Sequence, residues 1–159
     1  MAQVILTSVQ DAIASEIDIA APPERVFKAL TDAKELATWF ADEACPAKFW
    51  NMDARKGGSY SYATAKGSYV VNGVDEFECH GDILEYDPPR LPVYTWVANW
   101  HLDKQLETVV RWELTPKGTG THLKVTHRGL ARKAIAREDY RGGWPGVFQK
   151  LKQFVERKD

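Results

Sequence analysis

The sequence predicts an α+β fold in which an antiparallel sheet of about six to seven strands is set against one long C-terminal helix, with two short helices after the first strand. Three observations carry that expectation. Between residues 45 and 128, segments that alternate apolar and polar residues recur at hairpin spacing. No helical pattern alternates with them, so parallel βαβ units are excluded and the strands must pair antiparallel. After Leu130 the period changes to that of a helix.

The first strand is the alternating run 13–20, with Ile13, Ser15, Ile17 and Ile19 on one face. Ala21-Pro22-Pro23-Glu24 ends it and opens a helix over about 23–30. Pro23 suits a first helical turn and Glu24 complements its positive end. Val26, Phe27 and Leu30 supply the apolar face. Thr31 or Asp32 caps a second short helix that puts Leu36, Trp39 and Phe40 together. Helices this short need a sheet to lie against. Gly57-Gly58-Ser59 opens a strand in which Tyr60 and Tyr62 share a face. Asn72-Gly73, between Tyr69-Val70-Val71 and Val74, is the strongest hairpin signal in the chain. It predicts a strand over 74–86 that Asp87-Pro88-Pro89 ends. Strands over 92–97 and 108–114 follow, then a turn over 116–120 and a strand over 121–127. Tyr140, Trp144, Val147, Phe148, Leu151, Phe154 and Val155 form one helical stripe. Gly142, Gly143 and Pro145 complicate its start, which lies either near Pro145 or, in the preferred reading, near Glu138 with a bend.

At 159 residues the chain fits a single domain, 1–159, with a core over about 13–156. Its 44% hydrophobic content excludes a mainly disordered chain. Its apolar runs are too short for a membrane span, and no export signal opens it, so a cytoplasmic location is expected. Twenty-one basic against 22 acidic residues argue against nucleic acid as a partner. The bases are uneven, however, with eight of them in residues 132–159 against four acids. Asp42-Glu43 reads as a solubilising loop pair. Cys45 and Cys79 lack a C-x-x-C spacing and are expected reduced.

The segment 17–31, Ile-Asp-Ile-Ala-Ala-Pro-Pro-Glu-Arg-Val-Phe-Lys-Ala-Leu-Thr, resembles the N-terminal signature of the START-like (SRPBCC) superfamily. Leu36-Ala37-Thr38-Trp39-Phe40 is similar to the L-x-x-W-F helix of its branch related to the activator of the heat-shock-protein-90 ATPase. Gly57-Gly58-Ser59-Tyr60, the run 81–91, Gly120-Thr121-His122-Leu123 and the run 143–148 resemble later landmarks of that branch. The resemblance covers nearly the whole chain and implies a helix-grip fold, a curved sheet wrapped around the C-terminal helix. It does not imply one function. The segment 63–75, the stretch 96–100 and the pair Gly142-Gly143 depart from the pattern.

A curved sheet clasping one helix leaves a gap between them. Parity directs Tyr60, Tyr62, Tyr94, Trp96, Trp112 and His127 into it; Trp144 and Phe148 face them from the helix, and Trp39 with Phe40 closes one end. These ten are the expected ligand-binding residues. No catalytic motif, metal-ligand spacing or cofactor fingerprint is present. The first reading is therefore a carrier, sensor or sequestering protein for a small hydrophobic or aromatic molecule, acting as monomer or homodimer. A co-chaperone-like protein-binding module is the alternative. A third is a cyclase- or hydrolase-type enzyme, for which His127 and Tyr62 would be the acid–base pair.

Overall fold

A computed structural model describes residues 3–6, 11–41, 44–131 and 133–157. Among these, eight strands run in chain order: β1 (Gln3–Leu6), β2 (Ile13–Ile19), β3 (Ala47–Met52), β4 (Ser59–Thr64), β5 (Glu78–Asp87), β6 (Leu91–Ala98), β7 (Thr108–Lys117) and β8 (Gly120–Arg128). Helices α1 (Pro23–Thr31) and α2 (Ala33–Trp39) lie between β2 and β3, and α3 (Ala134–Val155) follows β8. Every neighbouring pair is antiparallel, in the order β1-β2-β8-β7-β6-β5-β4-β3. The seven strands from β2 onward match the expected number, and β1 adds four residues at one edge.

The helix pair forms as its sequence dictates. Asp32 Oδ1 accepts hydrogen bonds from the Lys34 and Glu35 amides at 2.9 and 3.2 Å, capping α2. Arg25 then pairs with Glu35 at 2.6 Å, and Trp39 Nε1 donates to the Ala29 carbonyl at 2.8 Å. Both contacts fix α2 against α1.

The sheet bends where its ladder slips. Register shifts fall between Ala47 and Phe49 and between Ile83 and Glu85, and such bulges bend a strand. Gly81 precedes the second: a Cβ there would lie 1.9 Å from the Thr95 carbonyl oxygen, so a bare backbone is required. Across the concave face runs α3, burying Tyr140, Trp144, Phe148, Leu151 and Val155. The rings of Trp144 and Phe148 stand 5.4 and 5.9 Å from that of Trp112 in β7. Each such ring removes ~150–250 Å² from water, a gross gain of about 4–6 kcal/mol.

Three boundaries differ from expectation. First, α3 starts at Ala134, four residues before Glu138, and continues through Gly142, Gly143 and Pro145. Second, the strand expected over 74–86 begins only at Glu78. Asn72 and Gly73 do make the turn, with φ of 50° and 82°, but no regular ladder forms: the arms meet at the bridge between Val71 and Val74 and through the Gly67 amide on the Asp75 carbonyl at 3.3 Å. The reason is that this segment leaves the sheet: the Ala65 and Ser68 amides bond instead to the carbonyls of Pro46 and Ala44. Residues 65–77 thus form a flap. Third, β7 runs on to Lys117, which confines the turn to Gly118 and Thr119. Asp42, Glu43, Arg132 and Lys158 lie outside the described residues. Both cysteines are free and buried. No helix among the described residues is long and apolar enough to cross a membrane.

On the opposite sheet face His122 joins β8 to β2, with Nδ1 2.7 Å from Asp18 Oδ1 and Nε2 2.9 Å from Glu16 Oε1. The bond to Asp18, then that to Glu16, raises the imidazole's pKa above its ordinary value. Lys117 first, then His122, holds the Asp18 carboxyl down at about 2. The imidazolium's contribution is therefore complete below pH ~6.5 and is lost as pH rises through the higher folded pKa. Thermal melts of wild type and His122→Gln should converge as pH is raised from about 6 to about 9. A constant difference across that range would contradict the assignment.

Candidate functional site

One face of α3 carries Asp139, Tyr140, Gly143, Trp144, Val147 and Lys150, and all of them line a cavity of about 300 Å³. From Asp139 to Lys150 is ~16 Å at 1.5 Å per residue, so the cavity is a slot along the helix. Phe40 from the end of α2, Tyr62 and Thr64 from β4 and Trp96 from β6 form the other side. The flap roofs it with Tyr69, Val71 and Phe77, and Trp100 closes the flank. Asn72 pins the flap down: its Nδ2 donates to the Trp100 carbonyl at 2.7 Å and to Asp139 Oδ2 at 3.0 Å.

Several polar atoms of the lining are bonded within the protein. Trp96 Nε1 donates to Tyr140 Oη at 2.9 Å, and Cys45 Sγ donates to Thr64 Oγ1 at 3.3 Å. Lys150 Nζ donates to the Phe40 carbonyl at 2.5 Å. Burial raises the pKa of Tyr62 and Tyr140, so both phenols stay neutral. The charged groups of the lining, Asp139 and Lys150, sit toward opposite ends of the slot.

The ten expected residues divide. Phe40, Tyr62, Trp96 and Trp144 line the slot. Tyr62 is held flat by Trp50, stacked on it at 4.0 Å. Trp39, Tyr60, Tyr94, Trp112 and Phe148 do not reach it; they pack as core, and between the first four and their neighbours only about 10 Å³ remains, at the lower limit for one water. Their polar tips are satisfied too: Trp112 Nε1 donates to Tyr94 Oη at 2.7 Å and Tyr60 Oη to the Thr95 carbonyl at 2.6 Å.

His127 belongs with the core as well. It is fully buried, accepts from Trp144 Nε1 on Nδ1 at 3.2 Å, and has Nε2 2.7 Å from Thr108 Oγ1. An indole only donates, so Nδ1 is the acceptor and Nε2 carries the proton, donating to Thr108. Thr108 Oγ1 donates onward to the Trp96 carbonyl at 3.0 Å. Burial above all, with His101 nearby, holds the imidazole down at about 3. Its nitrogens being occupied, His127 forms no acid–base pair with Tyr62.

A second histidine also borders Tyr140. His101, 2% exposed, shares a 2.5 Å hydrogen bond through Nε2 with Tyr140 Oη. Nothing in its sequence context marks it, since it follows the last residues of β6 in a connecting loop. The flap residues and Trp100 were equally hidden, although Tyr69, Val70 and Val71 beside an Asn-Gly turn are an apolar signal in an irregular segment. Among the described residues no three His, Cys, Asp or Glu side chains converge as metal ligands would.

The model of the family described as activator of Hsp90 ATPase homolog 1-like protein matches residues 20–156. A crystal structure from Rhodobacter sphaeroides is similar with a TM-score of 0.79 and 21% identity over 98% of each chain. A protein from Chromobacterium violaceum gives 0.76 and 28% identity, covering 93% of this chain and 99% of its own. The solution structure of an AHSA1-like protein from Aeromonas hydrophila gives 0.72 and 20%, over 91% and 92%. No curated protein matches the sequence.

Two outcomes check the description of His127. Its imidazole proton resonances should not move between about pH 5 and 8, and a midpoint near neutrality would contradict its burial. His127→Leu strands the Trp144 indole and takes away the donor to the Thr108 hydroxyl, so urea unfolding should show a loss of about 2–4 kcal/mol.

Proposed function

The chain belongs to the activator of Hsp90 ATPase homolog 1-like family, and on that fold we propose that it binds one small hydrophobic or aromatic molecule in the slot between sheet and α3, without covalent change. The observation that carries this reading is the 300 Å³ cavity whose walls are half aromatic and several of whose polar atoms are bonded within the protein. Such a site attracts apolar surface and offers little to a strongly polar molecule. Ligand contact falls to Phe40, Tyr62, Trp96 and Trp144 among the expected residues. Trp39, Tyr60, Tyr94, Trp112, His127 and Phe148 serve as the rigid wall behind them. A carrier, a sensor and a sequestering protein would all use this arrangement.

The alternatives draw less support. An enzyme in this slot would need a free acid or base aimed inward, and His127 is committed to Thr108 and Trp144. A protein partner held by the basic C-terminal segment would meet bases that already have acids: Lys133 pairs with Asp103, Arg141 with Glu138 and Lys152 with Glu156.

Native mass spectrometry after incubation with mixed lipids and aromatic compounds should retain one small molecule per chain. At 100-fold excess over Kd the ligand should add about 2.7 kcal/mol of stability. Val147→Trp, which fills the slot from α3, should abolish the adduct while the circular dichroism stays unchanged. Absence of any adduct and of any thermal shift across the compound set would sink the reading.

A further inference from the structure

Glycine inside a helix is destabilising relative to alanine, so each one calls for a reason. Two common reasons fail at Gly143. Its φ is not positive. Nor does it permit a close approach: a Cβ built there meets no heavy atom within 4 Å, whereas at Gly67 and Gly81 it would come within 1.9 Å of a backbone oxygen. Gly142 and Gly146 also face open space, but neither lines the cavity, and Gly143 does. The space beside Gly143 is therefore part of the slot.

We propose that Gly143 determines which ligands the slot accepts: its bare backbone is the seat for a flat ring, so the cavity selects planar fused-ring aromatic molecules over flexible acyl chains. This rests on the ligand-binding reading given above. Position comes first. Gly143 is an exposed residue one turn from Asp139 and one turn from Val147, in the middle of the stretch of α3 that lines the slot, so a side chain there would occupy its open space. Dimensions allow it: about 300 Å³ spread over ~16 Å of helix leaves a mean section of roughly 20 Å², which admits a single ring edge-on as it would one extended chain, so the choice falls to the walls and to rigidity. The walls agree as well. Tyr140 and Trp144, which flank the seat along α3, lie 26° from parallel, and Phe40 opposite stands 5.8 Å from Tyr62 and 6.4 Å from Trp96. These rings already pack on one another, and the surface they turn to the cavity rewards a further ring beyond simple area burial. A rigid ring system also enters without losing the rotamer freedom that an acyl chain must give up.

The test titrates 1-aminoanthracene, a flat three-ring fluorophore, into wild type, Gly142→Leu, Gly143→Leu and Gly143→Ala. Wild type and Gly142→Leu should bind within about twofold of each other, and Gly143→Leu about tenfold or more weaker, with Gly143→Ala between. Melting curves show whether each variant folds; should Gly143→Leu not fold, Gly143→Ala carries the comparison. In competition, anthracene-2-carboxylate should displace the fluorophore at about tenfold lower concentration than dodecanoate, a carboxylate of the flexible class. Unchanged affinity in the Gly143 variants, or equal displacement by dodecanoate, overturns the proposal and leaves ligand binding standing. No binding of either class to wild type overturns both.

Discussion

Filling the space between a bent sheet and a straight helix is the requirement from which the rest of this molecule follows. Where the two surfaces match, at β7 and β8, filling is complete: Val110, Leu123, Val125, Phe148 and Leu151 have no exposed surface. Toward the N-terminal half of α3 the gap widens, and rings take over from aliphatic side chains. Trp96 stands at that transition, with Tyr60, Tyr62 and Tyr94 on one side and His127 and Trp144 on the other, at centroid distances between 5.9 and 6.3 Å. Beyond it the side chains run out. The slot is what remains, and the flap, held by Asn72, is the only thing among the described residues that roofs it with apolar groups.

The interior is kept electrically quiet by the same burial. Tyr60, Tyr62 and Tyr140 hold their protons because a phenolate there would be desolvated, and the Cys79 thiol is pushed up for the same reason. His122 and His127 make the point within one strand. They are five positions apart in β8, so they face opposite sides of the sheet. The outer one meets two carboxylates and is pushed toward the cation; the inner one meets rings and a hydroxyl and is pushed toward the neutral form. Stability contributed by the first fades at alkaline pH, whereas the second draws stability down as pH falls below ~6.5.

Parity reads a face well and a depth badly, and that is the physical reason the fold was more legible than the site. Tyr60, Tyr62, Tyr94, Trp96, Trp112 and His127 all point inward as alternation requires, and all are buried. Whether an inward side chain touches a neighbour or a void depends on the bend of the sheet, which is set by the slips at Phe49 and Glu85 and carries no periodic signal. Hence Tyr60, Tyr94 and Trp112 turn out to be core while Tyr62 and Trp96 border empty space. The flap illustrates a different limit. Asn72-Gly73 specifies a turn, and the turn is there, but a turn does not specify that its arms pair with each other. Ala65 and Ser68 of the first arm take their partners at Pro46 and Ala44, a long-range choice invisible to local pattern. Tyr140 and Val147 were visible as part of the α3 stripe, yet nothing in a stripe says which of its members border a void.

The path of α3 through Gly142, Gly143, Pro145 and Gly146 has a consequence for how the chain folds. Measured against alanine, three glycines and an internal proline amount to roughly 6 kcal/mol of intrinsic reluctance to coil. A peptide of this composition is random in water, so the rod exists only because Trp112 and its companions give it a template. Collapse onto the ribbons and winding of the last segment must then be one concerted event, with the wall of the slot assembled at the same moment as the core behind it.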